Sequence, residues 1–155
     1  MEYWKFIRNK VGNSRVIIPG VDVAIVKDSQ ILLVQNKENL EWFLPGGLQE
    51  LEETVFETGE REVLEELGIT VKAQNLISVY SGSKWIRKYT NGDELQSLTF
   101  LISANLTSNT EIKIDESEIA DFNWFDLKEV PDNMHDYSAM MIKDVLEFNG
   151  TTIMR

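Results

Sequence analysis

The chain has 155 residues, 43% hydrophobic and 26% charged, and a formal net charge of −11. That is the composition of a globular protein large enough for a genuine core, and its acidity argues against a nucleic-acid-binding surface, which needs clustered lysine and arginine. It has no cysteine, which excludes disulfides, thiolate metal sites and cysteine nucleophiles. No stretch approaches the roughly 20 apolar residues of a membrane span. The opening MEYWKFIRNK has no apolar run followed by a cleavage site. The expectation is one domain over residues 1–155, cytoplasmic, with no membrane and no nucleic acid among its partners.

Taken in chain order, residues 3–10 fit a strand or a short helix, and the pattern leaves both open. Residues 15–19 read as a short strand. Residues 21–26 and 31–34 are β-rich and flank a polar, turn-like stretch at 27–30, which predicts a hairpin. Residues 42–44 are apolar and end at Pro45-Gly46-Gly47. A helix follows, with visible punctuation. Thr54 and Glu57 form a capping box at its start, and Gly68 suits the left-handed position past its end. Phe56, Val63 and Leu67 share a face, with Leu64 beside them, and that face is expected to pack on a sheet. Glu62, Glu65 and Glu66 are expected on the other side. Gly59 costs a helix about 1 kcal/mol against alanine, which suggests close packing there.

Residues 71–80 read as a strand and 81–91 as a polar, aromatic loop ending in an Asn91-Gly92-Asp93 turn. Residues 95–105 are the longest strand candidate and are expected to be central. A short strand at 122–125 and a terminal helix at 135–148 complete an α/β or α+β layered fold.

Glu62, Glu65 and Glu66 stand at i, i+3 and i+4, so a helix puts their carboxylates on one face. Like charges at that spacing repel by roughly 0.2–0.5 kcal/mol per pair. Such a stack calls for a compensating cation, and hard divalent ions prefer oxygen ligands. A solvated helix face is the competing reading.

The surrounding segment, with Gly47, Glu53, Arg61, Glu62, Val63, Glu65, Glu66, Gly68 and Ile69, resembles the Nudix box, G-x5-E-x7-R-E-U-x-E-E-x-G-U with U a bulky aliphatic, at every fixed position. Two neighbours depart from common usage in that family. Glu52 stands where many members have glycine, and Thr58 and Gly59 stand where many have alanine. The resemblance implies an α/β/α sandwich around a mixed sheet. It implies hydrolysis of a pyrophosphate bond in a nucleoside diphosphate linked to another moiety, such as ADP-ribose or a nucleoside triphosphate, with Mg2+ or Mn2+. It also implies that Glu62, Glu65 and Glu66 hold the metal with a backbone carbonyl of the Gly46-Gly47 loop, and that Arg61 orients Glu62 while Glu53 assists. An ordinary helix salt bridge to Glu57 is the competing role for Arg61. A bound metal would reconcile an acidic chain with an anionic substrate. Many relatives are homodimers, and the sequence leaves the oligomeric state open. The alternative on the same scaffold is a non-catalytic nucleotide-binding or regulatory module.

The general base is open between Glu62 and a later loop, where Glu116 and Glu118 are candidates against a merely solvated acidic turn. Trp42, Trp85, Tyr89 and Tyr80 could stack on a base. Lys84, Arg87 and Lys88 could meet a phosphate, and Asn91, Asp93 and Gln96 could hydrogen-bond a ribose or base edge. Burial in a core competes for the aromatics, and a plain turn competes for 91–93. The single histidine, His135, cannot build a zinc site without partners and reads as structural or surface.

Overall fold

In a computed structural model that describes residues 2–107 and 111–155, a mixed sheet is packed between helices. The chain begins with helix α1, Tyr3–Val11, which resolves the ambiguity at residues 3–10. No α1 residue is buried. The helix is held by polar ties instead. The Tyr3 N–H donates to both carboxylate oxygens of Glu50 at 3.0 and 2.9 Å, and the Arg8 guanidinium donates to the Gly12, Ser14 and Glu94 carbonyls.

Strand β1 is one element, Val16–Lys27, rather than the two expected. Its parallel ladder with β7, Glu94–Leu106, runs from Val16 opposite Leu95 to Ile25 opposite Ala104. That continuous pairing overrides the Pro19-Gly20 punctuation. The expected hairpin exists only at its tip. Asp28 and Ser29 both have positive φ, 51° and 64°, as a two-residue primed turn requires. Only Val26–Ile31 and Lys27–Gln30 pair across it. Strand β2, Gln30–Asn36, then diverges to pair with β3, Trp42–Phe43, and with β8, Ile119–Asp126.

A three-residue strand β4, Gly46–Leu48, lies antiparallel to β1, with Asp22 opposite Gly46 and Val21 opposite Gly47. Strand β5, Val71–Tyr80, pairs with β7 on the other side, so the longest strand is central as expected. The segment expected as a loop at 81–91 contains a 3-10 turn, Ser83–Trp85, and strand β6, Ile86–Lys88, which pairs with β7. The final helix α3, Asp136–Glu147, is not the last element. Strand β9, Ile153–Met154, returns to pair with β5. Its tail is pinned by Asp144, which accepts from Tyr80 Oη at 2.5 Å and from the Arg155 guanidinium at 2.5 and 3.3 Å.

Side chains alternate between the two faces of a strand. On β1, Val21, Val23 and Ile25 join the core under helix α2, Val55–Leu67, while Ala24 joins the core under α3. Thr54 caps α2 with the reciprocal Glu57 bond, and Gly68 closes it in the left-handed conformation. The packing face differs from the one expected. Phe56 and Leu64 remain 37% and 48% exposed, whereas Thr58, Gly59, Val63, Glu66 and Leu67 are buried. Gly59 explains the rotation. A Cβ there would stand 2.6 Å from Ile102 Cδ1 and 2.9 Å from Val23 Cγ2, so the glycine lets the helix sit directly on the sheet. Glu66 turns inward as a result. No helix among the described residues is long and apolar enough to cross a membrane.

Candidate active site

Arg61 is the hub of the site. Its Nε and Nη2 donate to the two oxygens of Glu53 at 2.6 and 3.1 Å, and Nη2 also donates to the Leu48 carbonyl at 3.0 Å. Its Nη1 lies 2.9 Å from Glu62 Oε1 and 2.9 Å from Glu65 Oε2. Arg61 thus ties the β4 loop to the α2 carboxylates, and its partners are not the competing Glu57. A planar fork with several fixed donors suits this role better than an ammonium would. Glu53 also accepts from the Glu50 N–H and the Thr58 hydroxyl. These bonds, led by the one from Arg61, hold its pKa down at about 2. Glu52, beside it, adopts φ of 70°, the left-handed conformation glycine takes most easily.

The Gly46-Gly47 strand is pressed against these carboxylates. A Cβ on Gly47 would fall 2.4 Å from the Glu62 carboxyl carbon. The Gly46 N–H donates to Glu66 Oε2 at 3.0 Å. Glu66 is only 7% exposed. Burial pushes its carboxyl well above the usual range, against the Gly46 bond, and the charges of Glu62, Asp22 and Glu118 act in the same direction as burial. Burial also raises Glu62, opposed by Arg61. Glu65 is the exposed member of the three, with its side chain 59% accessible.

Glu118 reaches the site because its loop is tied to α2. The Lys113 and Asp115 N–H groups donate to the Leu67 and Glu66 carbonyls, both at 2.9 Å. Glu118 then lines a cavity of about 490 Å³ with Leu48, Glu50, Arg61, Glu62 and Glu65, closed on one side by Trp4 and Lys5 of α1. Glu116 is not brought there. It sits on the exposed turn, where its carbonyl accepts from Lys37 Nζ.

A hard divalent cation fits this donor set. Glu62, Glu65 and Glu66 are carboxylates grouped along one helix, and a side-chain-free backbone stands against Glu62. Among the described residues, no three acidic or histidine side chains already converge on one point.

A second cavity, of about 370 Å³, opens on the α3 side of the sheet. Trp85, Arg87 and Tyr89 line it, as the sequence suggested for a recognition site. Its aromatic wall is continuous. The rings of Trp85 and Tyr137 lie 4.6 Å apart, those of Tyr137 and His135 5.2 Å apart, and Arg87 stacks 4.5 Å over Tyr137. His135 is therefore a wall residue, and burial, with Arg87 adding to it, lowers its pKa.

The other recognition candidates go elsewhere. Trp42 is 9% exposed and packs edge-on against Phe125 in the core. Tyr80 is core too, as its bond to Asp144 requires. Gln96, opposite Ile86 in the β6–β7 ladder, lines neither cavity. Asp93 lies 3.6 Å from Arg8 in a neighbouring pocket beneath α1 that shares Tyr89 with the second cavity. Lys88 pairs with Glu94, so the basic cluster at 84–88 does not act as a unit. Sequence reading missed Asp22, Tyr137 and the contribution of α1. The one signal for Asp22 was a carboxylate at an inward position of an otherwise apolar strand.

Comparison with known proteins agrees with this geometry. The model of the NUDIX domain matches residues 17–145. A MutT-like protein of Streptomyces ambofaciens is 32% identical over 83% of this chain and 75% of its own length. An ADP-ribose pyrophosphatase of Methanocaldococcus jannaschii is 34% identical over 84% of this chain and 73% of its own. The crystal structure of an ADP-ribose pyrophosphatase from Streptococcus suis superposes with a TM-score of 0.70 over 89% of this chain and 98% of that one, at 22% identity. At that identity the likeness is one of fold.

Proposed function

This chain belongs to the Nudix family, and on that premise we propose that it is a metal-dependent pyrophosphohydrolase acting on a nucleoside diphosphate linked to another moiety, with a nucleotide sugar of the ADP-ribose kind as the first substrate to test. The observation that carries this reading is the Arg61 hub, which holds Glu53, Glu62 and Glu65 in one arrangement beside the buried Glu66. The named activity of the Methanocaldococcus jannaschii relative supports the choice of substrate.

Glu62, Glu65 and Glu66, with a carbonyl of the Gly46-Gly47 loop, would hold Mg2+ or Mn2+. When bound, such an ion neutralises diphosphate oxygens and lowers the pKa of an attacking water. Arg61 fixes the Glu62 carboxylate through a charge-assisted hydrogen bond. Glu62 is the first choice to take the proton of the attacking water, since partial burial already raises its affinity for one. Glu118 is the second, from the facing loop. As the water oxygen bonds to phosphorus, the bridging P–O bond breaks. A nucleoside monophosphate and a phosphorylated partner group leave. Arg87 and the exposed Tyr89 bind the nucleoside in the second cavity, offering a cation and a ring, while the buried Trp85 backs the wall between Tyr80 and Tyr137.

The test is a panel of nucleotide sugars, dinucleoside polyphosphates and nucleoside triphosphates with Mg2+, run on the wild type and on Glu62→Gln. Turnover of a nucleotide sugar that collapses in the variant is the expected result. Binding without turnover in both proteins would make the chain a regulatory or binding module.

A further inference from the structure

Helix α1 carries Trp4, Ile7 and Val11 at helical spacing, yet none of its residues is buried. A helix with such a stripe ordinarily closes on the sheet it covers. This one stands off the sheet, because polar ties hold it near its two ends. The Tyr3 N–H is bound to Glu50, and Arg8 is bound to the Gly12, Ser14 and Glu94 carbonyls. Beneath the helix is a cavity of about 280 Å³. Ile18, Leu48 and Leu95 give it an aliphatic lining, and Trp4 and Tyr89 add two aromatic rings. An apolar, aromatic-walled cavity with a few polar groups is the form a small-molecule site takes.

This cavity is continuous with the rest of the site. Trp4 and Leu48 line both it and the carboxylate cavity, and the Leu48 carbonyl is one of the partners of Arg61. Tyr89 lines both it and the second cavity. The space beneath α1 therefore adjoins the carboxylates on one side and the nucleoside seat on the other. Lys5, the residue after Trp4, is paired with Glu2 and lines the carboxylate cavity. A phosphoryl group beside Lys5 and a ring against Trp4 thus follow one another along the helix.

The polar groups of the cavity choose its occupant. Arg8 has both terminal nitrogens committed to backbone carbonyls, so it offers little to an anion. Asp93 accepts from Asn91 Nδ2 at 3.0 Å through Oδ2, and its Oδ1 has no hydrogen bond among the described residues. A carboxylate with an open oxygen repels further phosphate and accepts from a hydroxyl. An uncharged ring with an apolar C–H face for the aromatics and donating hydroxyls for Asp93 satisfies both conditions. We infer that the cavity beneath α1 seats the sugar carried by the diphosphate, with its C–H face on Trp4 and a hydroxyl on Asp93. The assignment rests on the reading of the chain as a nucleotide-sugar pyrophosphohydrolase with its nucleoside in the second cavity. It adds the seat for the other half of the substrate, and it gives α1 a part in specificity.

The α,β-methylene analogue of ADP-ribose cannot be cleaved at its bridge, so its binding is read whether or not the chain is a hydrolase. It is titrated calorimetrically with Mg2+ beside the β-methyl ester of α,β-methylene-ADP, which has the same charge and no sugar. The proteins are the wild type, Trp4→Ala, Trp4→Phe and Asp93→Asn, once thermal melts establish that all four are folded. In the wild type the sugar should add at least about tenfold to affinity, the worth of one stacked face and one hydrogen bond. Trp4→Ala should erase that difference and leave the affinity for the methyl ester in place, while Trp4→Phe should keep most of it. Asp93→Asn should narrow it by about threefold, since a hydrogen bond to a charged acceptor becomes one to a neutral acceptor. The Trp4 indole N–H resonance, identified by its loss in Trp4→Phe, should move further with the sugar analogue than with the ester. Equal affinity for the two analogues in the wild type overturns the seat, as does binding of neither at millimolar concentration. So does a difference that survives Trp4→Ala or is untouched by Asp93→Asn, or a Trp4 resonance indifferent to the sugar. Absence of turnover with every nucleotide would overturn the hydrolase reading instead, and the binding series would still decide the seat.

Discussion

Arg61 and Glu53 stand eight residues apart in the chain and face each other as a two-pronged pair, Nε to Oε1 at 2.6 Å and Nη2 to Oε2 at 3.1 Å. The remaining prong of the guanidinium reaches Glu62 and Glu65. A lysine at 61 would keep the charge but could not fill both directions at once. Arg61→Lys is therefore expected to lower kcat by roughly 10–100-fold, with KM changed far less, because misplacement of a catalytic carboxylate by about 1 Å costs on that order. Glu53→Gln should lower kcat in the same direction. Steady-state kinetics on both variants checks this, and a loss confined to KM would remove Arg61 from the positioning role.

The metal-free protein should be most stable on the acid side of neutrality. Burial raises Asp22 to about 7 and raises Glu62 and Glu66 as well. A group with a raised folded pKa binds protons more readily folded than unfolded. Its contribution is complete below the unfolded value and is lost as pH rises through the folded one. For Asp22 that loss runs from 3.8 to about 7. Glu53 has the opposite sign. Its contribution is complete above 4.5 and is lost as pH falls toward about 2. The two limbs cross between the unfolded values of these groups and predict a maximum near pH 4. Urea denaturation in chelator across that range measures it. Asp22→Asn should flatten the neutral limb and Glu53→Gln the acid limb.

Two glycines should fail in different ways. At Gly47 an added Cβ meets the mobile end of Glu62, so Gly47→Ala displaces a carboxylate that can swing away. Activity should drop by about 10-fold or more while Tm changes little. At Gly59 the Cβ meets Ile102 and Val23 inside the core. Overpacking costs about 1–3 kcal/mol, and the better helix propensity of alanine returns up to about 1 kcal/mol. Gly59→Ala should therefore lower Tm by several degrees. Equal effects of the two variants on Tm would contradict the geometry.

How much of this was legible in the sequence depended on how local the signal was. The α2 caps were readable because Thr54, Glu57 and Gly68 act on their own backbone. The orientation of α2 was not, since it depends on Gly59 meeting Ile102 on a strand far along the chain. The Nudix-box spacing located Glu53, Arg61, Glu62 and Glu65, which the structure does bring together. It could not distinguish Glu118 from Glu116, because that choice is made when the Asp115 N–H ties its loop to the Glu66 carbonyl. Trp42 and Trp85 look alike in sequence. Both end in the core under α3, 9% and 2% exposed, Trp42 against Phe125 and Trp85 against Tyr80 and Tyr137.

Metal uptake bears on the whole site. Glu62 and Glu65 share one guanidinium nitrogen, while buried Glu66 has a single backbone donor. Three carboxylates with so little neutralisation should take up a divalent ion readily, and a ligand that binds only the folded state raises its stability by RT ln(1 + [L]/Kd). Millimolar Mg2+ or Mn2+ should therefore raise Tm by several degrees at neutral pH, with saturable heat in calorimetry. The gain should fall as pH drops, since protons compete for the same oxygens. Glu66→Gln removes the most enclosed of these charges. It should abolish most of the metal-dependent shift while raising the Tm of the metal-free protein at neutral pH, because the charge it deletes is buried. A variant that loses stability in chelator and keeps its full response to Mg2+ would place Glu66 in the core alone and leave the ion to Glu62 and Glu65.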